Sequence, residues 1–118
     1  MQMDSICVHG GVHLQGKVKI QGSKNASLPI LAATLLTRGD NIIYNCPKIT
    51  DVFQMKQLLA SIGCKIREGC DCVSINADRV RAGRMPAEAV QGMRSSACML
   101  GALLSRCGEI TMEYPGGC

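Results

Sequence analysis

The fold of this 118-residue chain can be predicted outward from one stretch, Gly22-Ser23-Lys24-Asn25-Ala26-Ser27-Leu28-Pro29-Ile30-Leu31-Ala32-Ala33. Its apolar residues recur at spacings of three and four as far as Leu36, which predicts an amphipathic helix from Lys24 to a stop near Gly39. Pro29 falls near the first turn, where a missing amide hydrogen costs least. The stretch therefore predicts a helix that begins with a cation shortly after a glycine.

The segments on either side of this helix predict strands and a second helix. Before it, residues 5–9 and 12–21 alternate between apolar and polar residues, which predicts two strands separated by Gly10-Gly11. After it, the pattern predicts a strand at 41–45, a helix at 50–62 capped by Thr50 or Asp51, and strands at 64–67 and 72–76 around a Glu68-Gly69 turn. The predicted order is βαβαββ.

The C-terminal part repeats the beginning of this unit. A short helix is predicted from Pro86, a longer one at 94–106 and a strand at 109–113. Gln21-Gly22-Ser23-Lys24 matches Gln91-Gly92-Met93-Arg94 at an offset of 70 residues, and 35–38 matches 103–106 at an offset of 68. The sequence therefore predicts an α/β fold of βαβαββ units, of which the second is incomplete.

The composition excludes several classes of protein. A content of 47% hydrophobic residues is too high for a disordered chain, and no apolar run has the roughly 20 residues of a membrane-spanning helix. The net charge of +4 suits an anionic ligand, but 3% aromatic residues are few for stacking on single-stranded nucleic acid. The eight cysteines are scattered, with neither a signal peptide nor zinc spacing, which predicts reduced thiols in the cytoplasm and no metal site.

Two basic residues and one thiol are the candidates for chemistry. Lys24 and Arg94 occupy equivalent places at predicted helix starts, where free amides and the helix dipole favour an anion; each could equally be a solvated surface cation. Cys118 follows two glycines on a segment predicted to be mobile, where a thiol is accessible, although a terminal cysteine usually has no role.

Four segments resemble one family in the same order. The stretch at 22–33, the segment Cys46-Pro47-Lys48-Ile49-Thr50-Asp51-Val52, the segment Met93-Arg94-Ser95-Ser96 and the segment Tyr114-Pro115-Gly116-Gly117-Cys118 resemble the bacterial UDP-N-acetylglucosamine enolpyruvyl transferases. The sister family that makes 5-enolpyruvylshikimate 3-phosphate has Lys-Ser in place of Lys24-Asn25 and lacks the Gly-Gly-Cys loop.

The resemblance implies a fold and a domain arrangement. The family fold is an inside-out α/β barrel of βαβαββ units, here incomplete. Residues 1–21 would be strands that pack with the C-terminal domain, which is absent from this sequence. Residues 22–118 would be the first unit and part of the second unit of the N-terminal catalytic domain.

The resemblance also implies site residues and an activity. Lys24 and Asn25 would contact phosphoenolpyruvate, Arg94 would contact UDP-N-acetylglucosamine, and Cys118 would be the reactive thiol that fosfomycin alkylates. The parent enzyme would transfer the enolpyruvyl group to the 3-hydroxyl of the sugar in the first committed step of peptidoglycan synthesis, with no metal or organic cofactor, nucleic acid or membrane partner.

The chain itself is expected to be inactive, because the family continues with further substrate-binding and catalytic residues beyond the position of Cys118. Two alternatives stay open from the sequence. One is a stand-alone, non-catalytic α/β module that binds a phosphorylated ligand through Lys24 and Arg94, and the other is a relative of 5-enolpyruvylshikimate-3-phosphate synthase.

Overall fold

The computed structural model of the chain describes residues 4–81, 85 and 97–111. A 3-10 turn, Thr34–Leu36, extends the first helix. The regular elements, numbered in chain order, are helix α1 (Lys24–Ala33), strand β1 (Asp40–Tyr44), helix α2 (Thr50–Ser61), strands β2 (Lys65–Glu68) and β3 (Cys72–Asn76), and helix α3 (Ala97–Cys107).

The three strands form one antiparallel sheet in the order β1-β3-β2. Tyr44 lies opposite Cys72, and Glu68 lies opposite Val73. The Gly69 amide donates to the Cys72 carbonyl at 2.8 Å, so β2 and β3 are joined by a two-residue loop. The turn is centred on residues 70–71 rather than on the predicted Glu68-Gly69 pair, because β2 continues through Glu68.

The helices cover one face of the sheet, and the core lies between the two layers. Val73 and Ile75 of β3 are buried, whereas Ile42 and Tyr44 on the other face are more than half exposed. Arg106 of α3 connects this helix to the turn after α1 and to the end of β3. It donates to Leu35 O at 3.1 Å, Thr37 O at 3.2 Å and Ala77 O at 2.9 Å. The fully buried large side chains are Leu31, Leu35, Met55, Leu58, Leu59, Ile75, Met85, Met99 and Val73.

The predicted helices and strands from Lys24 to Asn76 are confirmed, and besides the shifted turn two local corrections concern the helices. Pro29 is the sixth residue of α1, so it lies in the second turn and cannot donate to the Asn25 carbonyl. The N-cap of α2 is Ile49 rather than Thr50 or Asp51, because the backbone is extended at Ile49 and already helical at Thr50. Asp51 instead lies in the first turn, where a carboxylate favours the helix dipole.

The end of the chain is described only in part. Helix α3 ends at Cys107, and the beginning of the helix predicted at 94–106 lies outside the described residues, as does the short helix predicted from Pro86. Of the strand predicted at 109–113, Thr111 forms an isolated bridge in which its carbonyl accepts from the Met85 amide at 3.1 Å.

The two N-terminal strands are not formed, and this prediction is wrong for the structure. Residues 4–20 are exposed and have no regular secondary structure. The alternation at 12–20 is real, because Val12, Leu14 and Val18 are each more than 70% exposed, but alternation stabilises a strand only where another surface covers its apolar side. Within the described ranges, no helix is long and apolar enough to cross a membrane.

Candidate functional site

The N-termini of α1 and α2 meet at a lysine and an aspartate. Lys24 is the first residue of α1, and Asp51 is the second residue of α2. The Lys24 Nζ atom lies 2.5 Å from the Asp51 Oδ2 atom, with the two side chains 52% and 38% exposed. The pair is therefore accessible to solvent and contributes at most about 1 kcal/mol to folding. The pair lies between the N-termini of two helices.

Two serines fix the start of α1. Ser23 is the N-cap, and its hydroxyl accepts from the Ala26 amide at 3.4 Å. The buried hydroxyl of Ser27 donates back to the Ser23 carbonyl at 2.7 Å. These bonds hold the first turn of α1 in place, so the backbone under Lys24 is positioned before any ligand arrives.

A close backbone contact fixes this turn against the loop that follows β1. A Cβ atom built on Gly22 would lie 2.2 Å from the Asn45 carbonyl oxygen and 3.3 Å from Pro47 Cδ. Glycine is therefore required by the close approach. Asn45 has a left-handed backbone with φ 55°, which ends β1 and turns the chain toward α2. The loop at 45–49, which leads into α2, and the start of α1 thus form one packed unit.

This geometry is suited to binding an anion. The first amides of a helix lack intrahelical acceptors, and an ammonium group at the same end adds a mobile positive charge. The Asp51 carboxylate neutralises Lys24 in this structure, so a phosphate or carboxylate ligand would compete with Asp51 for the ammonium group. Asn25, the second residue of α1, is exposed beside Lys24.

The structure brings together some of the predicted residues and leaves others undescribed. Lys24 and Asn25 are adjacent at the start of α1, as predicted. Arg94 and Cys118 lie outside the described residues. The sequence predicted Asp51 only as a possible helix cap, and its ion pair with Lys24 was not predicted. An acidic residue at one predicted helix start and a basic residue at another were the signal that could have indicated this pair.

A cleft of about 440 Å³ is lined by the loop at 46–49, the beginning of α2 and the β2–β3 loop. Lys56 forms an ion pair with Glu68 at its wall. Burial raises the pKa of the Cys46 thiol, outweighing the opposite effects of the Lys56 charge and a hydrogen bond with Ser27; Glu68 raises it further. Other lining residues are Pro47, Phe53, Cys70, Cys72 and Val73.

A metal site is not assembled in the described part of the chain. Among residues 4–81, 85 and 97–111, no group of three or more histidine, cysteine, aspartate or glutamate side chains is arranged to hold a metal ion. The three cysteines of the cleft line it without forming such a group.

Comparison with known proteins shows the family. The sequence profile described as "EPSP synthase (3-phosphoshikimate 1-carboxyvinyltransferase)" matches residues 8–118. The chain belongs to the EPSP synthase family. Its curated relatives include "UDP-N-acetylglucosamine 1-carboxyvinyltransferase 1" of Symbiobacterium thermophilum, 46% identical over 94% of this chain and 26% of the relative.

Two further comparisons agree with this membership of the EPSP synthase family. "UDP-N-acetylglucosamine 1-carboxyvinyltransferase 2" of Caldanaerobacter subterraneus is 39% identical over 98% of this chain and 28% of its own length. The crystal structure of the enolpyruvyl transferase NikO from Streptomyces tendae matches with a TM-score of 0.71 and 29% identity, covering 83% of this chain and 23% of NikO. The α/β enolpyruvyl transferase fold is thus confirmed, and the chain spans about a quarter of the length of its curated relatives.

Proposed function

We propose that this chain is part of an enzyme that transfers the enolpyruvyl group of phosphoenolpyruvate to the 3-hydroxyl of UDP-N-acetylglucosamine and releases phosphate. The observation that carries the proposal is Lys24 at the N-terminus of α1, held beside Asp51 at the N-terminus of α2. The names of the relatives at 39–46% identity support the choice of substrates. On this proposal the enzyme acts in peptidoglycan synthesis in the cytoplasm.

The chemistry of the transfer accounts for a cation at this position. The sugar hydroxyl oxygen bonds to C2 of phosphoenolpyruvate while C3 gains a proton, which gives a tetrahedral intermediate. This intermediate then loses a proton from C3 and expels phosphate, leaving the enol ether. Negative charge stays on the carboxylate and accumulates on the departing phosphate, where the Lys24 ammonium and the first amides of α1 would stabilise it.

Asp51 and Asn25 would support Lys24 in this role. The Asp51 carboxylate holds the ammonium group at the start of α1. When the more highly charged phosphate arrives, Lys24 can turn from Asp51 to the ligand without leaving the site. The Asn25 amide, one residue further along α1, can add a neutral hydrogen-bond donor to phosphoenolpyruvate.

Two further roles follow from the resemblance in sequence. Arg94 would bind the nucleotide sugar through its phosphates, a task suited to the fixed fork of a guanidinium group. Cys118 would present a thiol to phosphoenolpyruvate. The residues contributed by the rest of the protein complete the site, so we expect the 118 residues alone to give no turnover.

The N-terminal segment would serve the same larger protein. Six apolar side chains at alternate or nearby positions of this segment are exposed to solvent. Exposed apolar side chains do not stabilise an isolated extended segment. We propose that a C-terminal domain covers this segment and that residues 1–21 form strands only against it, the arrangement that the resemblance in sequence implies. The six are Ile6, Val8, Val12, Leu14, Val18 and Ile20.

A chimera tests the activity directly. This chain replaces the matching 116 residues of the Symbiobacterium thermophilum relative, and phosphate release is measured with phosphoenolpyruvate and UDP-N-acetylglucosamine. Lys24→Met should lower kcat by about 100-fold or more, the usual cost of removing a charge-stabilising donor. Lys65→Met is the matched control, because Lys65 is an exposed lysine of β2, and it should leave the rate unchanged.

The same assay separates the alternatives. A folded chimera that releases no phosphate refutes the proposal, and phosphoenolpyruvate binding without turnover would favour a binding module. Turnover with shikimate 3-phosphate in place of the nucleotide sugar would favour the acceptor named in the family description.

A further inference from the structure

The cleft lined by the loop at 46–49, the beginning of α2 and the β2–β3 loop is separate from the anion site. Neither Lys24 nor Asp51 lines it. Its volume of about 440 Å³ falls within the range of small-molecule pockets, which is about 300–1,000 Å³. The cleft is therefore large enough to hold a small ligand of its own.

The wall that α2 contributes to the cleft is apolar and aromatic. Val52 is buried there, whereas Phe53, the only phenylalanine of the chain, is 57% exposed. Aromatic rings attract one another in offset-stacked or edge-to-face pairs, beyond the gain from buried area alone. The exposed ring of Phe53 thus offers a contact that an aromatic ligand uses better than an aliphatic one.

Three sulfur atoms add to this preference for an aromatic ligand. Cys46, Cys70 and Cys72 line the cleft, and none of them is paired in a disulfide. Sulfur is polarizable and makes favourable contacts with aromatic rings. Burial raises the pKa of the Cys46 thiol, outweighing the opposite effect of the nearby Lys56 charge, so this thiol is uncharged near neutral pH.

The charged residues of the lining favour an uncharged ligand. Lys56 forms an ion pair with Glu68, and the Lys19 Nζ atom lies 3.7 Å from the Asp71 Oδ2 atom. The remaining charged residue of the lining is Lys48, which is exposed, so water solvates its ammonium group. A charged ligand would lose part of its hydration in this cleft without an unpaired charge in its interior to compensate.

We propose that this cleft binds a small, uncharged aromatic molecule between the Phe53 ring of α2 and the thiols of Cys70 and Cys72. The ligand would also lie against Pro47, which lines the cleft and whose Cδ atom is packed close to Gly22 at the start of α1. The inference concerns binding at the cleft alone and stands whether or not the proposed transfer activity is confirmed.

Indole, an uncharged aromatic molecule, is the probe that tests the site. Because the chain contains no tryptophan, fluorescence excited beyond the absorption of tyrosine comes from indole alone. The 118-residue chain is titrated into a fixed, low concentration of indole, and fluorescence anisotropy is measured. We expect saturable binding with a Kd of about 1 mM or below, as for other ligands of this size, and a Kd above about 10 mM would overturn the proposal.

Substitutions of Phe53 test where indole binds. Phe53→Ser should raise the Kd by about 3- to 10-fold, the loss of one aromatic contact, whereas Phe53→Tyr keeps the ring and should hold the Kd within about twofold. Tyr44→Ser is the matched control, because Tyr44 is a 69% exposed ring on the other face of the sheet, and its Kd should equal that of the parent chain.

Two results with these variants would contradict the role of Phe53. They are an unchanged Kd in Phe53→Ser and an equal loss of binding in Phe53→Ser and Phe53→Tyr. Phe53→Ser and Tyr44→Ser both replace rings that are more than half exposed, so circular dichroism of each should match that of the parent chain.

The charge of the probe gives an independent readout. Indoleacetate and protonated tryptamine carry the same ring with a negative or a positive charge, and each should bind at least about fivefold more weakly than indole. Binding of either molecule as tightly as indole would refute the inferred class of ligand.

Equilibrium dialysis of the chimera against indole tests the cleft in a full-length protein. The chimera should bind indole, and Phe53→Ser should weaken this binding by the same factor as in the 118-residue chain. Binding by the chain but not by the chimera would mean that the rest of the protein covers the cleft, and the proposal would then be wrong.

Discussion

Replacement of Gly22 by alanine should disrupt the packing of α1 against the loop after β1. The new Cβ atom would lie 2.2 Å from the Asn45 carbonyl oxygen, about 1 Å closer than such atoms approach each other, so one backbone must move. Overpacking of this kind costs about 1–3 kcal/mol, and a backbone oxygen cannot rotate away as a flexible side chain can. Lower entropy of the unfolded chain offsets at most about 1 kcal/mol. We therefore expect a loss of about 2 kcal/mol.

Gly101→Ala provides the matched control for this substitution. Gly101 lies within α3, and among the described residues a Cβ atom there would meet no atom within 4 Å beyond the adjoining backbone of its own helix. Alanine is the better helix former by about 1 kcal/mol, so this variant should gain stability. The opposite signs of the two changes separate the close contact from any general effect of alanine.

Urea unfolding followed by circular dichroism measures both changes. With a denaturant slope of about 1–2 kcal/mol per M, the unfolding midpoint of Gly22→Ala should fall by about 1 M, and that of Gly101→Ala should rise by about half as much. An unchanged midpoint for Gly22→Ala would refute the argument, because it would mean that the contact with Asn45 can relax freely.

Three further predictions concern stability. Arg106→Met should cost about 2–3 kcal/mol in urea unfolding, because three carbonyls in two segments lose their donor; Arg106→Lys should restore only part of it, and full restoration would contradict a role for the guanidinium fork. Burial raises the pKa of Cys64 to about 11, with Arg106 opposing the shift, so the unfolded chain ionises first and the free energy of unfolding should fall between about pH 9 and 11, by about 2 kcal/mol. Titration of stability should show this loss in the parent chain and in Cys98→Ala but not in Cys64→Ala. Ser23→Ala should lower thermal stability by about 1 kcal/mol through loss of the α1 cap, and an unchanged melting temperature would exclude that cap as a source of stability.

The elements from Lys24 to Asn76 could be predicted from the sequence because their signals are local. Apolar spacing, glycine stops and alternating strands specify each element without knowledge of its partners. The N-cap at Ile49 could not be predicted, since the backbone becomes helical one residue earlier than the polar side chains suggest. The prediction of the N-terminal strands was wrong for the opposite reason. The alternation at 12–20 indicates an apolar side that another surface must cover, but these side chains are exposed in this structure.

The place of Lys24 and Asn25 at a helix start could be predicted, but the contacts of Lys24 could not. The position of Lys24 at a helix start follows from the helical pattern and the preceding Gly22-Ser23. Its pairing with Asp51, 27 positions further along the sequence, depends on how α1 and α2 pack, and no local spacing encodes that distance.

The strand order β1-β3-β2 has a consequence for the route by which the chain folds. The β2–β3 hairpin closes a two-residue loop, so it can form early at little entropic cost. Strand β1 must pair with β3 across the whole of α2, with 36 positions separating Asp40 from Asn76, and we expect it to dock later. The start of α1 packs on the loop that follows β1. The lysine and aspartate of the anion site would therefore come together among the last events of folding, after the central part of the sheet has formed.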